Sequence, residues 1–186
     1  MRAFFVTKRL AFGSEITTWR SVEQLQAVGI THVVNLLSNK HRKKIREFKS
    51  VRLSFRDDMR PHSRWFYSHA LRFYKRATRK PNAKVFVMCR LGICRSASMT
   101  YFLLRASGYG YAQAENIVLR ARPCAKIRRS YRECGEQYLS RRNSDTNIQL
   151  FRTQENRCQL SRQKNFVKLS IFLYLGGSVP NGTAHR

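Results

Sequence analysis

The sequence is poor in acidic residues, has an odd number of cysteines and contains no long apolar run. Its 186 residues include 10 Asp and Glu against 37 Lys and Arg, a formal net charge of +27. None of the five cysteines forms a Cys-x-x-Cys pair, so the sequence indicates neither a disulfide framework nor a zinc cluster. The first apolar run has only four residues, which is too short for a secretory signal. We therefore expect a cytoplasmic protein with reduced thiols, no bound metal and no stable membrane insertion.

The hydrophobic fraction of 42% is nevertheless sufficient for a folded domain. Residues 1–142 contain 31 Lys and Arg against 8 Asp and Glu, so most of the positive charge belongs to the patterned part of the chain. We expect one domain over residues 1–142 and a basic, flexible tail over residues 143–186, whose single apolar run covers residues 166–175. Such a charge attracts polyanions, including phosphoproteins, phosphoinositides and nucleic acid, without selecting among them.

The apolar spacing predicts an α/β domain in which helices flank a central, mainly parallel sheet. Buried-type runs predict strands over residues 30–37 and 84–88, and strict alternation predicts another over residues 51–55. Helices are predicted from Ser21, after Ser63, over residues 96–108 and 111–122, and from Ser130 to Ser140. The basic stretch at residues 40–49 is interpreted as a solvated helix or loop. No element is predicted before Ser21.

The residues that indicate a catalytic function lie in one segment between a predicted strand and a predicted helix: Cys89, Arg90, Leu91, Gly92, Ile93, Cys94, Arg95 and Ser96. Cysteine followed six positions later by arginine is weak evidence alone, and its position gives it weight. A strand that enters a loop and then opens a helix directs backbone N–H groups towards an anion. Gly92 lets the loop curl, and Arg95 offers a planar pair of donors to phosphate oxygens. The same field favours the thiolate form of Cys89, which is the nucleophilic form.

This segment, read as Met88-Cys89-x5-Arg95-Ser96, resembles the signature loop of the protein tyrosine phosphatase superfamily in its dual specificity branch. The likeness extends over residues 8–140 and includes residues 29–36, the pair Asp57-Asp58 and the triplet at residues 121–123. The resemblance implies the cysteine phosphatase fold. It also implies a phosphate-binding loop formed by Arg90, Leu91, Gly92, Ile93, Cys94 and Arg95.

The resemblance further implies a mechanism that needs no metal or organic cofactor. Cys89 attacks phosphorus, Arg95 and the loop amides hold the phosphate oxygens, and the Ser96 hydroxyl eases departure of the thiolate. In this family an aspartate about thirty residues before the cysteine acts as general acid and then as general base. Spacing permits either Asp57 or Asp58; Asp57 is preferred because it follows the predicted strand directly, and Asp58 is the reserve. Asn35 resembles a family asparagine that supports the phosphate loop, and a purely structural role is equally compatible with its position.

Several interpretations remain open at this stage. The family usually has histidine before the nucleophile, where this chain has Met88, which implies an altered rate and pH optimum rather than another reaction. The substrate is expected to be a phosphoprotein carrying phosphotyrosine or phosphoserine/threonine. Alternatives are a phosphoinositide or an RNA 5′-phosphate, suggested by the positive charge, and a phosphate-binding module with little turnover. Cys94 and Cys124 are either inert thiols or disulfide partners of Cys89 under oxidation.

Overall fold

Five strands form one sheet in the computed structural model, which describes residues 2–38, 42–58, 60 and 62–144. The strands are β1 (Phe4–Thr7), β2 (Leu10–Gly13), β3 (His32–Asn35), β4 (Lys49–Arg52) and β5 (Val85–Met88). The helices are α1 (Trp19–Ala27), α2 (Arg42–Ile45), α3 (Arg64–Thr78), α4 (Arg95–Arg105), α5 (Tyr111–Ala121) and α6 (129–144). The predicted α/β fold with a mainly parallel sheet is confirmed.

The strand order β1-β2-β5-β3-β4 places β5 at the centre of the sheet. Only the β1–β2 pair is antiparallel, and β2, β5, β3 and β4 run parallel. In the register, Met88 at the end of β5 lies opposite Gly13 of β2 and Asn35 of β3. The chain therefore leaves β5 between the carboxyl ends of two neighbouring strands, which is where ligands bind in open α/β sheets.

The side chains of β5 alternate between two apolar layers. Val85, Val87 and then Cys89 belong to the larger core cluster, which includes residues of α3, α4, α5 and α6. Phe86 and Met88 belong to a second cluster, with residues of α1 and α2. Because neighbouring strand residues point to opposite faces, Met88 and Cys89 direct their side chains to opposite sides of the sheet.

The β1–β2 hairpin was not predicted, because no pattern was identified before Ser21. Its strands have four residues each, and the turn between them contains no glycine, proline, asparagine or aspartate. Instead the Thr7 hydroxyl accepts a hydrogen bond from the Arg9 backbone N–H at 3.2 Å. A turn of this kind has little signal in a single sequence, although β2 is buried throughout and pairs with the central strand.

Several predicted boundaries move in the structure. Helix α1 begins at Trp19 rather than Ser21, because the Thr18 side chain caps it by accepting the Ser21 N–H at 3.1 Å. Helix α6 starts at residue 129, so Ser130 lies inside it and is not its cap. Strand β3 is shorter than predicted, covering His32–Asn35, while β4 covers Lys49–Arg52 rather than residues 51–55. The alternation of apolar and polar residues continues after the end of β4, where Leu53 and Phe55 are buried although they lie outside the strand.

Helix α3 begins after Ser63 as predicted, with the Ser63 hydroxyl accepting the Trp65 N–H at 3.2 Å. Its buried residues are Tyr67, Ala70, Leu71 and Ala77, whereas Trp65 is 48% exposed. Strand β5 and helices α4 and α5 lie within a few residues of their predicted bounds.

The predicted tail, with its apolar run at residues 166–175, lies outside the described residues except for residues 143 and 144, and the domain boundary after residue 142 remains a prediction. Of the basic stretch at residues 40–49, the described part contains the short helix α2 and the buried residues Ile45 and Phe48. Across the described chain, no helix combines the length and apolarity required to cross a bilayer.

A partly buried ion pair attaches α6 to α4. The Glu136 carboxylate accepts hydrogen bonds from Arg105 Nε at 2.7 Å, Arg105 Nη2 at 3.0 Å and the Tyr101 hydroxyl at 2.8 Å. Burial disfavours the charged carboxylate, but the hydrogen bonds from Arg105 and Tyr101 outweigh it and hold the pKa of Glu136 below its ordinary value of 4.5. The ionised form of Glu136 is therefore a stabilising group in the folded state.

We predict that Glu136→Gln lowers the free energy of unfolding at neutral pH by about 1 kcal/mol, because the ion pair with Arg105 is lost. The effect is this small because roughly a quarter of the side chain is exposed, so that solvent screens the charge. A lowered folded-state pKa gives stability that is complete above pH 4.5 and is lost as the pH falls through the folded pKa. The difference between wild type and variant should therefore shrink in acid, as measured by urea unfolding at several pH values. Glu133→Gln, which breaks the exposed pair with Arg129 on the same helix, is the control and should have little effect. A Glu136→Gln effect that is constant with pH would contradict the assignment.

Candidate active site

The loop at residues 89–95 closes around the sulfur of Cys89. The Gly92 backbone N–H donates a hydrogen bond to Cys89 Sγ at 3.3 Å, and the Ser96 hydroxyl lies 3.2 Å from the same sulfur. Cys89 is only 3% exposed, and Ser96 is fully buried. Helix α4 begins at Arg95, so the unpaired N–H groups of its first turn lie beside the loop. A donor set of this kind stabilises negative charge on the sulfur and on a bound phosphate.

Arg95 is held in an orientation that leaves a donor for a ligand. Its Nη1 donates to the Phe55 carbonyl oxygen at 3.0 Å, and its Nε lies 3.4 Å from Asp57 Oδ2. The Nε atom is buried and makes no hydrogen bond to any described residue. A buried donor without an acceptor is costly unless a ligand supplies the acceptor. A phosphate oxygen beside Cys89 would supply it.

The two candidate acids lie in different surroundings. Asp57 lines the same cleft as Cys89 and Arg95, and half of its side chain is exposed. The Asp58 carboxylate instead accepts the Arg60 backbone N–H at 3.1 Å and lies 3.8 Å from His62 Nε2. The geometry therefore favours Asp57 as the group that reaches a substrate oxygen.

Three side chains hold the backbone that leads into Asp57. Arg95 binds the Phe55 carbonyl, while the Tyr131 hydroxyl and His62 Nε2 both donate to the Arg56 carbonyl, at 3.0 and 3.1 Å. The His62 ring also stacks on the Phe55 ring, with centroids 3.8 Å apart. Burial, aided by the charge of Arg95, lowers the pKa of His62. A neutral ring with its proton on Nε2 is therefore favoured, as the bond to Arg56 requires.

Gly92 occupies a position that no other residue fits. Its φ of +70° lies in the left-handed region, and a Cβ there would approach the Gly13 carbonyl carbon to 2.4 Å and Ser14 N to 2.5 Å. The loop thus packs directly against the backbone at the end of β2. A further bond from the Glu15 N–H to the Arg90 carbonyl, at 3.3 Å, holds the loop to the same segment.

Arg122 also holds the loop, and no role was predicted for it. Its Nη1 donates to the carbonyl oxygens of Leu91 at 3.0 Å and Gly92 at 2.7 Å, and its guanidinium lies 4.7 Å from the centre of the Phe4 ring. A triplet motif around Arg122 entered the family resemblance, but its contacts depend on tertiary structure. By binding the loop carbonyls, Arg122 helps to turn the loop N–H groups inwards.

A cleft of about 770 Å³ opens over the loop. Five of the six residues predicted to bind phosphate line it, and the sixth, Gly92, contributes its N–H to the Cys89 sulfur. The lining residues are Asp57, Cys89, Arg90, Leu91, Ile93, Cys94, Arg95, Cys124, Lys126 and Arg128. The cleft therefore combines three thiols, one carboxylate and four cationic side chains.

Asn35 and Met88 do not line the cleft. Asn35 is buried, and its side-chain oxygen accepts the Leu37 N–H at 2.8 Å, so it orders the turn after β3. Met88 is fully buried in the cluster on the face of the sheet opposite Cys89.

Cys94 and Cys124 line the cleft as free thiols, and Cys124 Sγ accepts a hydrogen bond from Arg122 Nε at 3.2 Å.

Comparison with known proteins gives the class to which this site belongs. The sequence profile of the dual specificity phosphatase catalytic domain matches residues 12–168. This match spans most of the chain, so the chain belongs to the dual specificity phosphatase family of cysteine phosphatases. No curated protein matches the sequence at a significant level.

Several solved structures with low sequence identity to this chain have the same fold. A variant of human DUSP28 is 23% identical, with 77% of this chain and 97% of that one covered and a TM-score of 0.65. A mouse putative dual specificity phosphatase, complexed with zinc tungstate, is 22% identical, with coverage of 77% and 90% and a TM-score of 0.66. PTPMT1 in complex with PI(5)P is 16% identical, with coverage of 76% and 96% and a TM-score of 0.64.

We predict that Gly92→Ala lowers kcat/KM for para-nitrophenyl phosphate by about 100-fold or more, because the loop must move away from Gly13 and Ser14. Gly108→Ala is the matched control. Its φ is also positive, at +96°, but no atom lies within 4 Å of the added Cβ, and it is remote from the loop. Both variants incur backbone strain, so only the difference in activity between them reports the close contact. Equal activity in the two would contradict this role of Gly92.

We predict that Arg122→Gln lowers kcat/KM by about 10- to 100-fold, because two charge-assisted hydrogen bonds to the loop are lost. Arg122→Lys keeps the charge but not the planar pair of donors, and should stay impaired. Arg120→Gln on the exposed face of α5 removes one charge elsewhere and should keep wild-type activity. Full activity in Arg122→Lys would show that charge alone is required.

Proposed function

We propose that this chain hydrolyses phosphotyrosine and phosphoserine/threonine esters in proteins through a cysteinyl-phosphate intermediate. The observation that carries the proposal is one cleft in which Cys89, Arg95 and the Asp57 carboxylate meet, and in which the buried Nε of Arg95 lies 3.4 Å from Asp57 but makes no hydrogen bond to a described residue. Family membership supports phosphatase chemistry, and the substrate class is our own inference. A cytoplasmic location, where thiols stay reduced, fits a catalytic cysteine.

In the first step the Cys89 thiolate attacks phosphorus in line with the ester oxygen. The S–P bond forms as the P–O bond to the leaving group breaks. Arg95 and the N–H groups of the loop hold the other phosphate oxygens, whose charge must be stabilised throughout. Asp57 enters this step protonated and gives its proton to the leaving alkoxide or phenoxide, which departs as the free alcohol.

In the second step a water molecule attacks the phosphorus of the cysteinyl-phosphate. Asp57, now a carboxylate, takes a proton from this water, and the P–S bond breaks to release inorganic phosphate. The leaving thiolate is stabilised by the Ser96 hydroxyl and the Gly92 N–H, both within 3.3 Å of the sulfur. The enzyme is thereby returned to its starting state.

A phosphoinositide is the second candidate substrate. The cleft contains four cationic side chains, Arg90, Arg95, Lys126 and Arg128, and PTPMT1, a distant structural relative, forms a complex with PI(5)P. The chemistry would be the same with a lipid headgroup as the phosphate carrier. A binding module without turnover is a weaker alternative, because a nucleophile, a phosphate clamp, a hydroxyl beside the sulfur and an acid are all present.

We predict that wild-type protein hydrolyses para-nitrophenyl phosphate with EDTA present, and that Cys89→Ser abolishes the reaction. Asp57→Asn should lower kcat/KM by about 100- to 10,000-fold for phenyl phosphate, whose leaving group needs a proton, and less for para-nitrophenyl phosphate. The measurement is the dependence of kcat/KM on the leaving-group pKa over a series of aryl phosphates, because kcat/KM reports the step in which the leaving group departs.

The control is Asp58→Asn, whose carboxylate lies beside His62 and outside the cleft lining. It should keep the leaving-group dependence of the wild type. A steeper dependence in Asp58→Asn than in Asp57→Asn would transfer the acid role to Asp58. Turnover that survives in Cys89→Ser would overturn the proposed function. Faster turnover of a short-chain phosphoinositide than of any phosphopeptide would favour the second candidate.

A further inference from the structure

A second cavity lies at the end of the sheet opposite the catalytic loop. It has a volume of about 350 Å³, and its lining includes His32, Lys49, Lys80 and Ala83. Strand β3 begins at His32 and β4 at Lys49, and these two residues are partners in the parallel register. The cavity therefore opens at the amino ends of the strands, whereas the loop at residues 89–95 follows the carboxyl end of β5. None of the residues that line it takes part in the proposed reaction.

Two lysine side chains meet at this cavity. A hydrogen bond with the Lys49 side chain, together with the repulsion between the two positive charges, lowers the pKa of Lys80. None of the ion pairs formed within the described residues includes either lysine. Neighbouring like charges are unfavourable in a folded protein, and an anion placed between them removes the repulsion. The lysine pair therefore indicates an anionic ligand.

His32 adds a polar group that is buried in the wall of the cavity. Only 7% of the residue is exposed, and its ring packs edge-on against Phe73 with centroids 5.7 Å apart. Its Nδ1 lies 2.8 Å from Thr31 Oγ1, whereas Nε2 makes no hydrogen bond to a described residue. Burial, aided by the charges of Lys49 and Lys80, lowers the pKa of His32 below 6.5, so the ring is neutral at pH 7. When Nδ1 accepts the Thr31 hydroxyl hydrogen, Nε2 carries the proton and is a free donor.

Hydrogen bonds to the backbone hold the walls of the cavity in position. The Lys49 N–H donates to the Thr31 carbonyl at 3.1 Å, which joins β4 to the start of β3. On the other wall, Arg9 donates from Nε to the Ala83 carbonyl at 3.1 Å and from Nη2 to the Lys80 carbonyl. The backbones that carry the two lysines are therefore fixed before a ligand arrives, and preorganisation reduces the entropy lost on binding.

We propose that this cavity binds a small phosphate monoester, with its phosphate between Lys49 and Lys80 and its organic group inside the cavity. A phosphate monoester carries nearly two negative charges at neutral pH, which matches two ammonium groups. Pro81, Ala83 and the lysine stems give the cavity apolar walls. Its volume is near the lower limit for ligand pockets, so it holds one ring rather than a longer chain. The inference is independent of the proposed function, because it uses no residue of the catalytic cleft.

The test is an NMR titration of ¹⁵N-labelled Cys89→Ser protein with phenylphosphonate, whose C–P bond the proposed reaction does not cleave. Two groups of amide signals should shift, one from the loop at residues 89–95 and one from residues 31–32 and 82–84. Lys49→Gln with Lys80→Gln should weaken binding at the second group about 10-fold or more and leave the Kd at the loop unchanged. Methylphosphonate should bind the second group about 5-fold or more weakly than phenylphosphonate, because it leaves the apolar walls uncovered.

A charge-matched control separates a local site from the general attraction of a chain with a net charge of +27. Arg72→Gln with Arg120→Gln removes two exposed charges outside the cavity and should keep both affinities. Lys49→Glu places a carboxylate beside Lys80, so it should abolish binding at the second group without lowering the Tm. Binding that weakens equally in the control overturns the site, as does binding that survives in Lys49→Glu.

Three results distinguish this site from the catalytic one and identify the source of its ligand. If phenylphosphonate shifts only residues 31–32 and 82–84, the cavity site stands and the proposed function loses its phosphate-binding loop. If it shifts only the loop, the cavity site is overturned and the proposed function is unaffected. If a phosphotyrosine peptide shifts residues 31–32 and 82–84 with a lower Kd than phenylphosphonate, the small-molecule assignment is overturned in favour of a phosphorylated protein.

Discussion

The contact between Gly92 and the backbone of Gly13 and Ser14 is the constraint on which the site depends. A single added carbon at Gly92 would lie 2.4 Å from a backbone atom of β2, so the loop and the strand end share one arrangement. That contact forces the loop to close with its N–H groups inwards, where one of them meets the Cys89 sulfur. The hairpin that ends in Gly13 is therefore part of the active site, although none of its side chains takes part in the reaction.

The remaining parts of the site are attached to this loop rather than to one another. Arg122 and the segment that follows it bind the carbonyls of Leu91, Gly92 and Ile93, and the Glu15 N–H binds the carbonyl of Arg90. Arg95 extends from the loop to the Phe55 carbonyl and so fixes the backbone that leads into Asp57. His62 and Tyr131 hold the same backbone at Arg56. Cys89, Arg95 and Asp57 thus come from different elements but are held in fixed positions relative to one loop, which the proposed mechanism requires.

The local parts of this arrangement could be predicted from the sequence. Cys89, Arg95 and Ser96 lie within eight residues between a buried strand and a helix, and this context alone predicts an anion-binding loop. The family resemblance implied an aspartate about thirty residues before Cys89, and spacing allowed either Asp57 or Asp58. Asp57 was preferred because it follows the predicted strand, and in the structure Asp57 lines the cleft. Strand β5 was predicted well because its continuous apolar run is the signal of a strand buried on both faces.

The parts that were missed depend on tertiary contacts. Arg122, His62 and Tyr131 act by binding backbone carbonyls distant in sequence, and a basic or aromatic residue gives no local sign of such a bond. Strand β4 was placed too late because Leu53 and Phe55 continue the alternation as buried residues after the ladder ends. Met88 takes the position of a family histidine, and strand alternation explains its environment, since its side chain enters the cluster opposite Cys89.

The central claim is that phosphate passes through a covalent bond to Cys89. The most direct test is an acid quench of Asp57→Ala protein during turnover of para-nitrophenyl phosphate, followed by mass spectrometry of its proteolytic peptides. Because loss of Asp57 slows hydrolysis of the intermediate, the account predicts one phosphoryl group on the peptide that contains Cys89, and none when Cys89→Ser is added. Steady turnover with no labelled peptide, or a label on Cys94 or another residue, would contradict it.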